Sequence, residues 1–155
     1  MKRLLVLAMV LGLVLGIGVS FASDTNTVTV TANVVGTCKF LSSTSTLAFG
    51  SLDPSSGSDV NASTTVQFWC TKNANYSIID DNGSNEETGS DVHRMKGPGT
   101  NNYIPYTFEY TPTSGQGNGR TNPIDLKISG TVKFTDYQNA VAGDYSDTVV
   151  LTITP

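Results

Sequence analysis

Hydrophobic and polar residues alternate with a period of two in several short segments of this chain. In the first, at 27–34, Val28, Val30, Ala32 and Val34 fall on one face, and threonine and asparagine fall on the other. Equivalent alternation occurs at 66–70, 76–78, 104–110, 126–134 and 148–154. Alternation of this kind is typical of strands with one buried face. No segment after residue 22 sustains the 3.6-residue period of an amphipathic helix, so the pattern predicts an all-β protein.

Turn-forming residues separate the predicted strands, at 53–57, 81–85, 97–99 and 113–123. Short strands joined by such turns, without helices, favour an antiparallel sandwich or barrel. Gly130 interrupts one of the alternating segments, and we expect a bulge or a close approach of another segment there. Tyr145 precedes the last predicted strand. It either ties the preceding corner through its hydroxyl group or is an ordinary surface tyrosine.

The N-terminal segment has the composition of an export signal. Lys2 and Arg3 precede an apolar run at 4–19, and Ser20 and Ala22 place small residues at the −3 and −1 positions of a cleavage site. We expect cleavage after Ala22, with an uncleaved membrane anchor as the alternative. Cleavage removes two basic residues and leaves a chain more acidic than the whole sequence, whose formal net charge is −4. An acidic exported chain without a basic cluster is not expected to bind nucleic acid.

The chain contains two cysteines, Cys38 and Cys70. In an oxidising compartment these two residues are expected to form a disulfide. A thiol site or half of a metal site is the alternative, but His93 is the only histidine in the sequence and no histidine cluster accompanies the cysteines. We therefore expect neither a metal site nor a cofactor.

No group of residues predicts catalysis. His93 has no nucleophile motif beside it, so we expect a surface histidine rather than a general base. The acidic segment 80–87 lacks the glycine that an EF-hand loop carries at its sixth position, which favours a solvated turn over a calcium site. Trp69 lies on the face opposite Cys70. It marks either a contact between subunits or a tryptophan covered by a loop of its own domain.

The order of the predicted strands leaves one strand too many at the N-terminus and one too few at the C-terminus. The last strand has Val149, Leu151 and Ile153 on one face and reaches to within a residue of Pro155. In an immunoglobulin-like sheet that ends with this strand, the bare edge would expose apolar side chains and unpaired backbone groups. The alternating segment at 27–34 precedes the domain that the disulfide anchors. The pattern suggests that each molecule lends its N-terminal strand to the next.

Several short motifs occur in order along most of the chain after residue 22. They are 34–38, Leu47-Ala48-Phe49-Gly50 followed by Asp53-Pro54, 66–70, Tyr76-Ser77-Ile78, Arg94-Met95, and 143–149. In this order and spacing, the motifs resemble those of the spore coat protein U domain family, the subunit type of archaic chaperone–usher pili.

The resemblance implies an incomplete immunoglobulin-like antiparallel sandwich that lacks its last strand and is completed by donor-strand exchange. It implies a signal peptide at 1–22, a donor strand at 23–35 and a pilin-type domain at 36–155. The donor side chains expected to fill a neighbour's groove are those of Val28, Val30, Ala32 and Val34. The side chains expected to line the groove on the last strand are those of Val149, Leu151 and Ile153. Cys38 and Cys70 would join the first strand to the second.

The resemblance also implies partners and a location. The expected partners are identical or related pilus subunits, a periplasmic chaperone and an outer-membrane usher. The subunit would cross the periplasm and end in an extracellular fibre that supports adhesion and biofilm formation, at a shaft or an adaptor position. Two alternatives stay open. One is a structural protein of a spore or cell coat with the same fold, and the other is a monomeric carbohydrate-binding sandwich whose N-terminal strand folds back into its own groove.

Overall fold

The computed structural model describes residues 22–155. Residues 1–21, and with them nearly all of the predicted signal peptide, lie outside the described residues. Within residues 22–155, no helix is both long and apolar enough to cross a membrane. The chain divides into a segment that ends at Asn33 and a unit that spans Val34–Pro155. Residues 22–37 take part in no strand, so all of the elements below belong to the second unit.

Nine strands and one short helix form the regular structure of the described residues. They are β1 (Cys38–Phe40), β2 (Val60–Cys70), β3 (Asn75–Asp80), β4 (Arg94–Lys96), β5 (Tyr103–Pro105), β6 (Thr107–Thr111), β7 (Ser114–Gln116), β8 (Ile124–Val132), α1 (Phe134–Tyr137) and β9 (Leu151–Thr154).

The larger sheet has four antiparallel strands in the order β1-β2-β8-β6. Its two longest strands, β2 and β8, pair from Val60 opposite Val132 to Phe68 opposite Ile124. Along both strands the residues alternate between more buried and more exposed positions. This alternation arises because successive side chains in a strand point to opposite faces of the sheet, and only one face lies against the core.

A second sheet, with the order β7-β3-β9, covers the apolar face of the first, and β4 and β5 form a separate two-stranded ribbon. The main core contains buried side chains from both sheets, among them Phe68 of β2, Ile78 of β3 and Leu126 of β8. All strand pairs are antiparallel in the part of the chain that the structure describes. The prediction of an all-β antiparallel sandwich is therefore confirmed.

The predicted disulfide between Cys38 and Cys70 is present and joins β1 to β2. The two residues are register partners, and Cys70 is fully buried in the main core. The pairing continues beyond β1, because the Thr71 N–H donates to the Thr37 carbonyl oxygen at 2.8 Å. The first strand of the domain is thereby fixed to the core both covalently and by hydrogen bonds.

Several predicted strand boundaries are wrong. β2 begins at Val60, six residues before the predicted segment 66–70. The segment 104–110 divides at Tyr106, whose N–H donates to the His93 carbonyl oxygen instead of continuing one ladder. The strand predicted to include Phe134 ends at Val132, since the Phe134 N–H bonds the Asp59 carboxylate where α1 begins. The last strand begins at Leu151 rather than at 148.

Gly130 lies in a regular part of β8, opposite both Ala62 and Phe108, so no bulge occurs there. A Cβ atom at this position would lie 2.6 Å from the Thr107 carbonyl oxygen and 3.0 Å from the Phe49 ring. The expectation of a close approach is therefore confirmed, and the segment that approaches carries Phe49.

Candidate functional site

An open groove of about 880 Å³ lies beside the last strand of the domain. One side is formed by residues 45–52, here called the first wall, and the other by residues 145–151, here called the second wall. Its apolar lining includes Leu47, Phe49, Ile104, Phe108, Val149 and Leu151. A long apolar groove between two chain segments is suited to binding an extended segment with apolar side chains at alternate positions.

The first wall makes no backbone–backbone hydrogen bond with any other described residue. It is held instead by side chains, because Leu47 packs against the main core, and Phe49 and Leu52 pack against a second buried cluster. The Phe49 ring also lies edge-on to the Tyr106 ring, with 5.8 Å between the ring centroids. The backbone N–H and C=O groups of this wall are thus available to a further strand.

The second wall is bonded on one side only. Ser146 exchanges backbone hydrogen bonds with Lys96, and the Thr148 carbonyl oxygen accepts from the Ser84 N–H. Because backbone groups of successive residues in an extended chain point to opposite sides, those of Asp147 and Val149 face the other side, where the described residues supply no backbone partner. In β9, which continues this wall, the only strand partner among the described residues is β3. Both walls therefore present unpaired backbone groups, as the edges of a missing strand would.

The Tyr106 hydroxyl donates a hydrogen bond to the Asp147 carboxylate at 2.8 Å, and both residues line the groove. The second Asp147 oxygen accepts from the Asn85 side-chain amide at 2.9 Å. Burial, and then the hydrogen bond to Asp147, raise the pKa of Tyr106 well above its ordinary value. The lining thus contains a polar pair, Tyr106 and Asp147, beside apolar side chains such as Phe108 and Val149.

Tyr145 stands at the start of the second wall, and its hydroxyl donates to the Val141 carbonyl oxygen at 2.9 Å. The interpretation in which this tyrosine ties the preceding corner therefore describes the structure. The Tyr145 ring occupies the space where a Cβ atom of residue 97 would lie, which explains the glycine at that position. The contact fixes the end of the wall where an inserted strand would enter or leave.

The residues predicted to line the groove divide into two groups. Val149 and Leu151 line it, whereas Ile153 lies beyond it, pairs with Ile78 and packs against the main core. Of the predicted donor side chains, Val28, Val30 and Val34 are 75%, 89% and 79% exposed, and Ala32 is exposed as well. Three valines on one face of an unpaired segment form an exposed apolar stripe, which in a soluble domain indicates an interaction surface.

His93 is buried, so the expectation of a surface histidine is wrong. Its Nε2 atom lies 3.2 Å from an Asp80 carboxylate oxygen, and its ring packs beside Tyr106 and Phe108. The Nδ1 atom has no hydrogen-bond partner among the described residues. Asp80 also accepts from the Tyr110 hydroxyl at 3.0 Å. The arrangement connects β3 to β6 across the sandwich.

Trp69, a further candidate from the sequence, has a contact within the domain. Trp69 is partly covered by Arg120, whose guanidinium carbon lies 5.8 Å from the ring centroid. Trp69 is therefore covered in part by a loop of its own domain. Within residues 22–155, no group of three or more His, Cys, Asp or Glu residues is placed to hold a metal ion.

Sequence reasoning did not identify the first wall or the Tyr106–Asp147 pair as parts of the groove. The first wall has a signal in the sequence, because Leu47 and Phe49 belong to one of the motifs that carry the family resemblance. Asp147 also belongs to such a motif, but nothing in the sequence pairs it with Tyr106, because the two residues are 41 positions apart and only the fold brings them together.

The sequence profile of the spore coat protein U domain family matches residues 24–152. The match covers most of the chain, which therefore belongs to the spore coat protein U domain family. A comparison with curated protein sequences gives no match.

Two similar solved structures are complexes from fimbrial assembly. One contains the chaperone CsuC and the tip adhesion subunit CsuE of the archaic Csu pili of Acinetobacter baumannii, with 18% sequence identity and a TM-score of 0.45. The other is a chaperone–tip adhesin complex of CFA/I fimbriae biogenesis, with 17% identity and a TM-score of 0.45. Each match covers 77% of this chain and 40% or 41% of the other chain, so this chain spans about two fifths of their length.

Proposed function

We propose that this protein is a structural, non-enzymatic subunit of a surface fibre that assembles by donor-strand exchange. The observation that carries the proposal is the open groove, whose two walls both have unpaired backbone groups. An inserted strand would form hydrogen bonds to both walls and place alternate side chains in the lining. Residues 23–35 of a second copy are the proposed occupant, because Val28, Val30 and Val34 are exposed at alternate positions.

The energetics of such an insertion favour stable assembly. Burial of four small apolar side chains contributes roughly 1–1.5 kcal/mol each, or about 4–6 kcal/mol in total, before the new hydrogen bonds are counted. Each copy offers one donor segment and one groove, which belong to different parts of the chain. Head-to-tail contacts of this kind produce an open filament unless the rotation between copies closes a ring.

The remaining parts of the proposal follow the family resemblance. Residues 1–22 act as a cleaved signal peptide, and residues 36–155 form the pilin-type domain. A periplasmic chaperone occupies the groove during transit, and an outer-membrane usher exchanges the chaperone strand for the donor segment of the next subunit. The product is an extracellular fibre that supports adhesion and biofilm formation.

A monomer that inserts residues 23–35 into its own groove is the second candidate. The exposed valines of residues 23–35 and the groove favour this candidate equally, because a groove can accept a donor strand from its own chain or from another. The two candidates differ in their products, since only exchange between chains gives multimers.

The test uses the chain from Ser23 to Pro155, purified from an oxidising compartment and analysed on denaturing gels with and without boiling. Multimers that resist detergent until they are boiled are expected. Val30→Asp places a charge on the face that enters the groove and should abolish the multimers. Thr29→Asp is the matched control on the opposite face and should leave them intact. A stable monomer from the natural chain and from Thr29→Asp, together with a destabilised monomer from Val30→Asp, favours self-complementation. Multimers that survive Val30→Asp contradict the proposed insertion.

A further inference from the structure

The polar pair in the groove gives the proposed insertion a defined register. We infer that Tyr106 and Asp147 select Ala32 of a second copy of this chain and thereby fix which donor residue lies opposite each residue of the second wall. The inserted strand is antiparallel to the second wall, with the pairs Val34 and Tyr145, Ala32 and Asp147, Val30 and Val149, and Val28 and Leu151. This inference rests on the proposed function.

The first argument is a match in length. Four half-buried residues at alternate positions of the second wall line the groove, namely Tyr145, Asp147, Val149 and Leu151. The next residue in this series, Ile153, does not line the groove. The donor segment likewise has four apolar residues at alternate positions, which end at polar Asn26 on one side and Gly36 on the other. If each of the four donor residues lies opposite one of the four wall residues, only one register is possible for each strand orientation.

The second argument is a match in size and polarity. Asp147 is the only one of the four wall residues with a carboxylate, and that carboxylate already accepts from Tyr106 and Asn85. A valine packed against this pair would shield the carboxylate from water and offer no hydrogen bond in exchange. Ala32 is the smallest of the four donor side chains, so it displaces the least water and occupies the least space at the pair.

Orientation and register follow when the two series are compared. With the strands antiparallel and fully overlapped, Ala32 lies opposite Asp147, and the three valines lie opposite Tyr145, Val149 and Leu151. With the strands parallel, Val30 takes the place of Ala32. For antiparallel strands, a shift of two residues in either direction also puts a valine opposite Asp147 and leaves one of the four wall residues without an apolar donor residue. A parallel strand shifted by two residues puts Ala32 opposite Asp147, but it moves Val28 to Gly143 and leaves Leu151 without an apolar donor residue. Only the antiparallel, fully overlapped arrangement satisfies both arguments.

The ends of the donor segment agree with this register. Asn26 falls opposite Ile153, which belongs to the core of its own domain and offers no pocket. Gly36 falls opposite Gly143 at the mouth of the groove, where the chain must leave one domain and enter the next. Neither end requires a side chain to be buried, so the polar or absent side chains there are compatible with the pairing.

Engineered disulfides between subunits test the register directly. In the inferred pairing Thr29 lies opposite Val150, and both residues are exposed on the outer face. Directly opposed residues of a non-hydrogen-bonded pair have Cα atoms about 4.5 Å apart, within reach of a disulfide. A displacement of two residues moves them about 6–7 Å along the strand and out of reach. The chain from Ser23 that carries Thr29→Cys and Val150→Cys should form a covalent ladder on non-reducing gels that collapses with reductant.

Three matched double variants report three other arrangements. Thr29→Cys with Thr148→Cys, and Thr31→Cys with Val150→Cys, test shifts of two residues in opposite directions. Thr29→Cys with Ser146→Cys tests the parallel orientation. None of the three should give a ladder. A ladder from any of them, or no ladder from any variant while the unsubstituted chain still forms boiling-sensitive multimers, overturns the inferred register. Loss of multimers from the unsubstituted chain would instead overturn the proposed function.

Discussion

The hydroxyl of Tyr145 donates a hydrogen bond to the backbone carbonyl of Val141, 2.9 Å away and four residues earlier in the chain. The bond closes the corner that leads into the second wall of the groove. The corner is also supported from the ribbon formed by β4 and β5, because Tyr145 packs over Gly97 and Ser146 pairs with Lys96. The geometry of the groove mouth therefore depends on one tyrosine hydroxyl and on its contacts with the segment after β4.

Tyr145→Phe is expected to lower the free energy of unfolding by about 1 kcal/mol, the usual net value of one hydrogen bond. The phenyl ring keeps its packing, so the loss reports the hydroxyl alone. Urea unfolding followed by tryptophan fluorescence measures it. Tyr103→Phe is the control, since the Tyr103 hydroxyl makes no hydrogen bond among the described residues. Equal losses of unfolding free energy in the two variants would show that the Tyr145 hydroxyl bond does not stabilise the corner.

The parts of the fold that the sequence predicts are those in which one short segment determines the outcome. The alternation at 66–70 predicts the C-terminal part of β2, because both faces of that segment can be assigned from five residues. The parts that it does not predict depend on distant contacts. His93 has no apolar alternation around it. It is buried because Asp80 of β3, Phe108 of β6 and Tyr106, which lies between β5 and β6, all pack against it.

The same distinction applies to the groove. Val149 and Leu151 could be predicted as lining residues because the period-two pattern of the last segment places them on its apolar face. Ile153 continues that pattern, yet it is covered by the main core, and only the position of β3 determines where the groove ends. The first wall could not be recognised as a wall, because it forms no strand and makes no backbone–backbone hydrogen bond with the other described residues.

Loss of the disulfide should destabilise the domain strongly. In the chain-entropy model, a cross-link between residues separated by 32 positions contributes about 3.5–4 kcal/mol. Replacement of Cys38 and Cys70 by alanine should lower the free energy of unfolding by about this amount in denaturant titrations. Reductant should destabilise the natural chain to a similar extent and leave the double variant unchanged. A double variant as stable as the natural chain would show that the hydrogen bonds of β1 are sufficient to hold it.

The buried Tyr106 hydroxyl should make the domain sensitive to alkali. Burial and the hydrogen bond to Asp147 raise its pKa in the folded state, whereas in the unfolded chain tyrosine titrates near pH 10. The folded state therefore holds this proton more tightly, so its contribution is complete below about pH 10 and is lost as the pH rises further. Tyr106→Phe should show a smaller decrease in the free energy of unfolding between pH 9 and pH 11 (roughly the range around that titration). An identical decrease in both proteins would assign the alkaline sensitivity to other groups.

A chain that begins at Gly36 should fold into an unstable domain that the missing segment stabilises. Without residues 23–35, the unpaired backbone groups and apolar lining of the groove have no strand to cover them. A peptide that spans Asp24 to Val35, added at about 100 times its dissociation constant, stabilises the folded state by about 2.7 kcal/mol. For a domain of this size, that should raise the melting temperature by about 10 °C in thermal scans. The control peptide carries Val30→Asp and should have no effect. A truncated domain that is already stable and ignores both peptides would show that the groove needs no donor, because its own chain suffices.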